Sequence, residues 1–268
     1  MLADLHVHTH LSLDGAMRPE RVVAQALRRG LGLIAVTDHD AIRGAHLTRE
    51  AAAGTGLAVV VGVEVTTDAG HVQGLGLEAD VMPGAPRPVP WRRAVEAIQA
   101  QGGLAVLAHP FRSDRPLDAA VLDRIDGIEV FNGRVRWSRF VAANDRAVWT
   151  WRSAGRPLLP TAGSDAHCAA EVGAVALEGP DLAPGIAPGG ADLRWWLAGA
   201  DRVWASSPSA LCQTHSQLRK AARTGDGALA ARALARAAFR LGESLRPPNA
   251  RRALVWMRGE GSAEHGSV

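Results

Sequence analysis

The sequence predicts an α/β protein built as a barrel of mostly parallel strands. Three observations lead there. Short apolar runs alternate with amphipathic stretches from residue 3 to about residue 178, the runs are apolar at nearly every position, and no dinucleotide-type glycine fingerprint accompanies them. Strand–helix alternation implies a parallel sheet. Continuous apolarity is what a strand covered on both faces requires. At least six such strands without the fingerprint favour a closed barrel over an open, doubly wound sheet.

The strand candidates are Ala3–His8, Gly32–Thr37, Ala58–Thr66, His71–Leu77, Leu104–Ala108, Gly127–Phe131 and Leu158–Gly163. Pro19–Arg29 opens with proline at a helix start and sets Val22, Val23, Ala26 and Leu27 on one face. Ala41–Ala53, Trp91–Gln101 and Ser138–Ala154 read as further helices, and Thr67–Gly70 as a hairpin turn. Residues 179–192 are rich in glycine and proline and read as a loop that ends a barrel core over 1–192. Residues 193–243 are alanine-rich and predict a helical extension packed on the barrel. Residues 244–268 form a polar tail whose end is expected to be disordered.

A chain of 268 residues suffices for one large barrel domain. Hydrophobic residues make up 47% and charged residues 21%, as in a soluble globular enzyme. The net charge is only +3 and no basic run appears, which argues against nucleic acid as the partner. Lys220 is the sole lysine, a compositional bias toward arginine. Cys168 and Cys212 belong to no Cys-pair motif, so a reduced, cytosolic chain is the simplest reading. Leu2–His8 lacks the features of a signal peptide, and no apolar run approaches the roughly 20 residues of a membrane helix. The expectation is a cytoplasmic protein without membrane contact.

Histidines and acids cluster at the C-terminal ends of the expected strands, where parallel barrels place their active sites. His6 and His8 alternate on a strand and share a face, their Cα atoms roughly 7 Å apart, close enough to grip one metal ion. Asp14 follows in an Asp-Gly turn. Thr37-Asp38-His39-Asp40 ends an apolar strand; Thr37 or Asp38 has an alternative as a helix cap, whereas His39 does not. Glu64 stands within a valine run, and a buried carboxylate needs a cation or a full set of hydrogen bonds. His71 opens the next strand, His109 closes another, and Asp165 and His167 form a second same-face pair. Each position alone has an ordinary structural explanation. Their common placement at strand exits does not, while His10, His46, His215 and His265 fall elsewhere.

Asp4-Leu5-His6-Val7-His8-Thr9, Asp14-Gly15, Thr37-Asp38-His39-Asp40, Gly62-Val63-Glu64, Ala108-His109-Pro110 and Gly163-Ser164-Asp165-Ala166-His167 together resemble the ordered motifs of the PHP (polymerase and histidinol phosphatase) superfamily. The resemblance covers about residues 3–180. It implies a distorted (β/α)7 barrel and a cluster of two or three metals that hydrolyses phosphate esters. By position it implies His6, His8, Glu64 and Asp165 around one metal, and Asp14, His39 and His167 around a second. Glu64 would bridge to a third metal completed by His71 and His109.

On this reading Glu64, Asp165 and His167 are the catalytic candidates. Imidazole and carboxylate donors without thiolate suit Mn²⁺, Fe²⁺ or Zn²⁺. Arg112, just past His109, and Arg134, past another strand exit, are the substrate-binding candidates, with Arg112 favoured for a second, remote phosphate. Asp38 is expected to orient a ligand histidine. The substrate expected is a small phosphorylated molecule: a nucleotide, nucleoside bisphosphate or sugar phosphate. The alternatives are an exonuclease or proofreading module, which the modest charge and lack of a polymerase domain disfavour, and a non-catalytic metal-binding barrel, which a complete ligand set disfavours.

Overall fold

The computed structural model describes residues 1–113, 116–135, 143–182, 188–206, 210–240 and 252–256. Strands β1 (Leu2–Val7), β2 (Leu33–Val36), β3 (Ala58–Thr67), β4 (Gly70–Leu75), β5 (Leu104–Leu107), β6 (Gly127–Asn132) and β7 (Leu159–Gly163) follow the expected runs closely. Helices α1 (Pro19–Arg28), α2 (Arg43–Ala51), α3 (Trp91–Gln99), α4 (Ala119–Leu122) and α5 (Ala143–Arg152) lie between them. The short α4 was not expected; the first residues of the helix expected from Ser138, 138–142, lie outside the described residues.

Neighbouring strands run β1-β2-β3-β4-β5-β6-β7 around a nearly closed barrel. All adjacent pairs are parallel except β3–β4 and β4–β5. β4 returns through a tight turn instead of a crossover helix, which is the distortion in the barrel. Beyond β7 the chain meets β1 again: Val7 bridges Ala166, the His8 N–H donates to the Ala166 carbonyl at 2.8 Å, and the Ala166 N–H donates to that of His6 at 3.2 Å. Gly163 permits this approach, since a Cβ there would fall 2.6 Å from His6 N and closer still to His6 Cβ.

The strands are buried on both faces, as their apolar composition requires. α1 begins at Pro19 and buries Pro19, Val22, Val23 and Ala26. Leu27, expected on that face, is instead exposed, because 100° per residue carries it past the edge of the stripe.

The C-terminal region departs from expectation. Strand β8 (Val175–Glu178) pairs antiparallel with the start of β1 at Leu2 and Ala3. Helix α6 (Gly190–Gly199) is followed by β9 (Arg202–Ala205), then α7 (Ala210–Thr224) and α8 (Gly227–Arg240), and β10 (Arg252–Trp256) pairs with β9. So the region expected to be wholly helical contains a strand, and the expected polar tail contributes another; residues 257–268 lie outside the described residues. Four or five residues carry too little periodicity to stand out from alanine-rich surroundings; sheet pairing with β8 supplies what local propensity does not.

Cys168 and Cys212 form a disulfide with Cα atoms 6.0 Å apart, correcting the expectation of a reduced chain. Their separation of 44 residues concealed that α7 returns over the loop after β7. No helix among the described residues is long and apolar enough to cross a membrane.

Candidate metal centre

The strand exits converge on one buried group of side chains. Asp4 and His6 share a face of β1, and His8 follows one residue beyond the strand. After β2 the chain continues beside β3: the Glu64 N–H donates to the Asp38 carbonyl, and the Asp40 N–H to that of Glu64, each at 3.0 Å. This ladder sets His39 against Glu64. The β3–β4 hairpin pairs Thr66 with His71, whose ring turns onto the same carboxylate. His109 and Asp165 have left-handed backbone, φ 27° and 55°. That conformation costs a non-glycine residue about 1–3 kcal/mol and is typical of functional turns.

Glu64 is the hub. Its Oε1 lies 2.6 Å from His71 Nδ1 and 2.8 Å from His109 Nε2. Its Oε2 lies 3.3 Å from the Nε2 atoms of both His6 and His8 and 3.4 Å from His39 Nδ1. Asp165 Oδ1 lies 3.4 Å from His8 Nε2, and Asp14 Oδ1 lies 3.1 Å from His167 Nε2. All nine expected metal-binding residues fall into overlapping donor groups: His8, Asp14, His39 and His167; His6, Glu64 and His109; His6, His8 and Asp165; His39, Glu64 and His71.

Tautomers test whether a cation fits. His167 Nδ1 lies 2.8 Å from the Asp165 carbonyl, which only accepts, so Nδ1 carries the proton. Burial first, then Arg134 and His8, push His167 down to about 3, so the ring is neutral and Nε2 bears a lone pair. That lone pair faces Asp14 Oδ1, and both atoms are buried without a hydrogen bond. Two acceptors in contact at a buried position need a cation between them. The Nε2 atoms of His6 and His8 lie 3.1 Å apart and each 3.3 Å from Glu64 Oε2, so these donors also converge on one point.

The electrostatics predict how metal enters. Burial depresses His6 and His8, but carboxylates outweigh it. Glu129, Asp165 and Glu64 hold His6 well above its usual range, and Asp165 and Glu64 raise His8 to about 9. Without metal the pair therefore shares at least one proton near neutral pH, whereas a ligating imidazole must be deprotonated. The sign follows: raised pKa values mean that metal displaces protons. Affinity should rise with pH, about tenfold per unit per proton released, across the neutral range and up to the His8 pKa of about 9. Calorimetry in buffers of different ionisation enthalpy measures the release; uptake independent of pH between 6 and 8 would contradict it.

A further layer of residues holds these groups. Glu129 Oε1 takes the His6 Nδ1 contact at 2.9 Å, and Oε2 accepts from the His109 N–H at 2.7 Å and Asn132 Nδ2 at 3.0 Å. Glu129 was not singled out from the sequence, although Gly127-Ile128-Glu129-Val130 repeats the pattern of Gly62-Val63-Glu64-Val65 and carried the same signal. Asp4 accepts from the backbone N–H groups of Ser164 and Gly173, both at 2.8 Å, joining β1 to the loop after β7.

Two expectations are corrected. Asp38 accepts from the N–H and hydroxyl of Thr9 and hydrogen-bonds no histidine among the described residues. Arg134 is buried, donating to Ser216 Oγ at 2.6 Å with its Nε 3.5 Å from Glu171 Oε1, while Glu171 Oε2 accepts from the His167 N–H at 2.8 Å. It therefore supports the His167 loop and does not line the cavity. Helix α7 covers it, which local sequence could not reveal.

A cavity of about 420 Å³ opens onto this centre, lined by Asp14, His39, His71, His109, Arg112, His167 and Lys220 among others. Arg112 Nη1 lies 3.2 Å from Asp165 Oδ2 and 3.4 Å from His109 Nε2, at the edge of the donor cluster and not at a remote subsite as expected. Gln217 and Lys220 of α7 also line the cavity and carried no recognisable signal in the sequence.

Residues 4–110 match the PHP domain family. An uncharacterised protein of Methanocaldococcus jannaschii is 35% identical over 147 residues, covering 49% of this chain and 82% of that protein. The 3',5'-nucleoside bisphosphate phosphatase of Chromobacterium violaceum is 40% identical over 79 residues, which is 28% of this chain and only 27% of the enzyme. Among solved structures, a two-domain protein of Bacteroides vulgatus containing a predicted PHP-like metal-dependent phosphoesterase aligns with TM-score 0.52 and 25% identity, over 62% of this chain and 52% of that one.

Proposed function

The chain belongs to the PHP superfamily of metal-dependent phosphoesterases, and from that premise we propose that it hydrolyses the phosphate ester of a small substrate at the His/Asp/Glu centre. One observation carries the reading: His167 Nε2 and Asp14 Oδ1 meet as buried, unpartnered acceptors at the floor of an open cavity. Two or three divalent ions are proposed, of Mn, Fe or Zn type, since the donors are nitrogen and oxygen without thiolate. When bound, such ions supply Lewis acidity and a water acidified to near neutral pH.

The residues supply the remainder. Glu64 belongs to two donor groups and is assigned the bridging position, while Asp165 and His167 each complete one further group. Glu129 fixes the His6 ring through Nδ1 and the His109 backbone through its N–H, so the His6 imidazole and the backbone that carries His109 are held before any ligand arrives. Arg112, anchored through one N–H on Asp165, offers its remaining donors to the oxygens of the reacting phosphoryl group.

The test is phosphate release by the Mn²⁺-loaded protein from 4-nitrophenyl phosphate and a panel of nucleotides, nucleoside bisphosphates and sugar phosphates. Activity should disappear on chelation and return with metal. In the same assay Arg112→Ala should lower kcat/KM for every substrate alike, by roughly tenfold or more, as loss of a charge-assisted contact implies. Metal-replete protein that releases phosphate from none of these compounds would overturn the reading.

A further inference from the structure

Helix α7 reaches the cavity through Gln217 and Lys220. Cys212, Ser216 and Lys220 are spaced four apart and so lie on one helical face. Each neighbour of Lys220 on this side is tied to the barrel. Cys212 is disulfide-bonded to Cys168, next to His167, and Ser216 Oγ accepts from Arg134. One turn further on, the Arg223 guanidinium donates to the carbonyls of Ser12 and His10, in the loop after β1. The helix is therefore fixed on both sides of Lys220, whose side chain lines the same cavity as Asp14, His167 and Arg112.

The two cations of the cavity differ in their bonding. Arg112 is paired with Asp165, whereas the Lys220 ammonium pairs with no carboxylate among the described residues. The cavity lining also includes Ala69, Pro116 and Leu117. A volume of about 420 Å³ lies in the range of pockets that enclose an organic ligand, which is roughly 300–1,000 Å³. An ammonium without a carboxylate partner among the described residues, on an anchored helix and in one partly apolar cavity with a cation-binding cluster, is complementary to a ligand with negative charge at both ends.

We infer that Lys220 forms a second-anion subsite, so that the preferred substrate carries a phosphate or carboxylate in addition to the phosphate that is hydrolysed. This rests on the phosphoesterase reading for the first subsite; the second is assigned from α7, which lies outside the residues matched to the PHP domain.

The experiment compares binding of unreactive phosphonates to the Mn²⁺-loaded full chain: alkyl phosphonates, ω-carboxyalkyl phosphonates and α,ω-bisphosphonates of graded chain length. At one chain length a doubly anionic probe should bind wild type at least about tenfold more tightly than the alkyl phosphonate, as a charge-assisted contact implies. Whether the carboxylate or the bisphosphonate gains more identifies the second group. Lys220→Met should remove the advantage while leaving alkyl phosphonate affinity within about twofold, and Lys220→Arg should retain most of it. No advantage at any length, or one that survives Lys220→Met, overturns the subsite while hydrolysis of 4-nitrophenyl phosphate still upholds the phosphoesterase reading. Absence of both phosphonate binding and hydrolysis overturns the two together.

Discussion

Replacing Glu64 by glutamine should lower kcat at least about a hundredfold, equivalent to roughly 2.7 kcal/mol of transition-state stabilisation. The carboxylate is fully enclosed and lies within 3.4 Å of ring nitrogens from five histidines: His6, His8, His39, His71 and His109. Burial alone would raise its pKa, but His71, His39 and His6 hold it well below the usual range, so it is ionised at all working pH values. Glutamine keeps the shape and removes the charge. Its amide N–H₂ also presents donors where a cation is to sit. Metal content by elemental analysis and kcat on 4-nitrophenyl phosphate should fall together. Near-normal turnover at full metal content would make Glu64 a structural residue and remove it from the bridging position.

Gly163→Val should cost about 3 kcal/mol of stability, near the upper end of the usual penalty for overpacking. The position lies at the end of β7, where the barrel meets β1, and the atoms a side chain would meet are the backbone N and Cβ of His6, not the flexible end of a side chain. Relief requires β1 and β7 to part, which displaces His6 from Glu129 and Glu64. For a domain of this size the cost corresponds to a fall in Tm of roughly 6–12 °C. Gly155→Ala is the control, because a Cβ at Gly155 meets nothing within 4 Å. Thermal denaturation of both variants decides the matter: a Gly163→Val protein that melts with the control would mean that the seam is not packed as described.

The two substitutions probe different kinds of information. The valine run around Glu64 marks a buried charge, and the need for a counter-charge follows from solvation alone. Gly163 reads only as a glycine before Ser164-Asp165; its importance comes from His6, more than 150 residues away in the chain, roughly the length of a whole small domain.

The barrel itself was legible because strand burial and side-chain alternation are local properties: β1 to β7 carry apolar residues on both faces, and polar side chains are few among them. His6, His8, His39, Glu64, His71, His109, Asp165 and His167 could be selected for a related reason, since an ionisable side chain within or at the end of an apolar strand stands out without knowledge of its partners. Asp14 came with the ordered motif.

Contacts across the sequence were decided only by the tertiary structure. It made Glu129 the support of His6 and His109, turned Asp38 to Thr9, withdrew Arg134 beneath α7, and set Arg112 against Asp165. It also joined Cys168 to Cys212, added β8, β9 and β10 to the sheet, and brought Lys220 to the cavity. A sequence pattern tells which side chains must leave water, because hydrophobic periodicity is set by neighbours a few residues apart. Which partner a buried polar group then meets depends on which distant segments pack against it, and that is settled only when the barrel closes and α7 folds back across its rim.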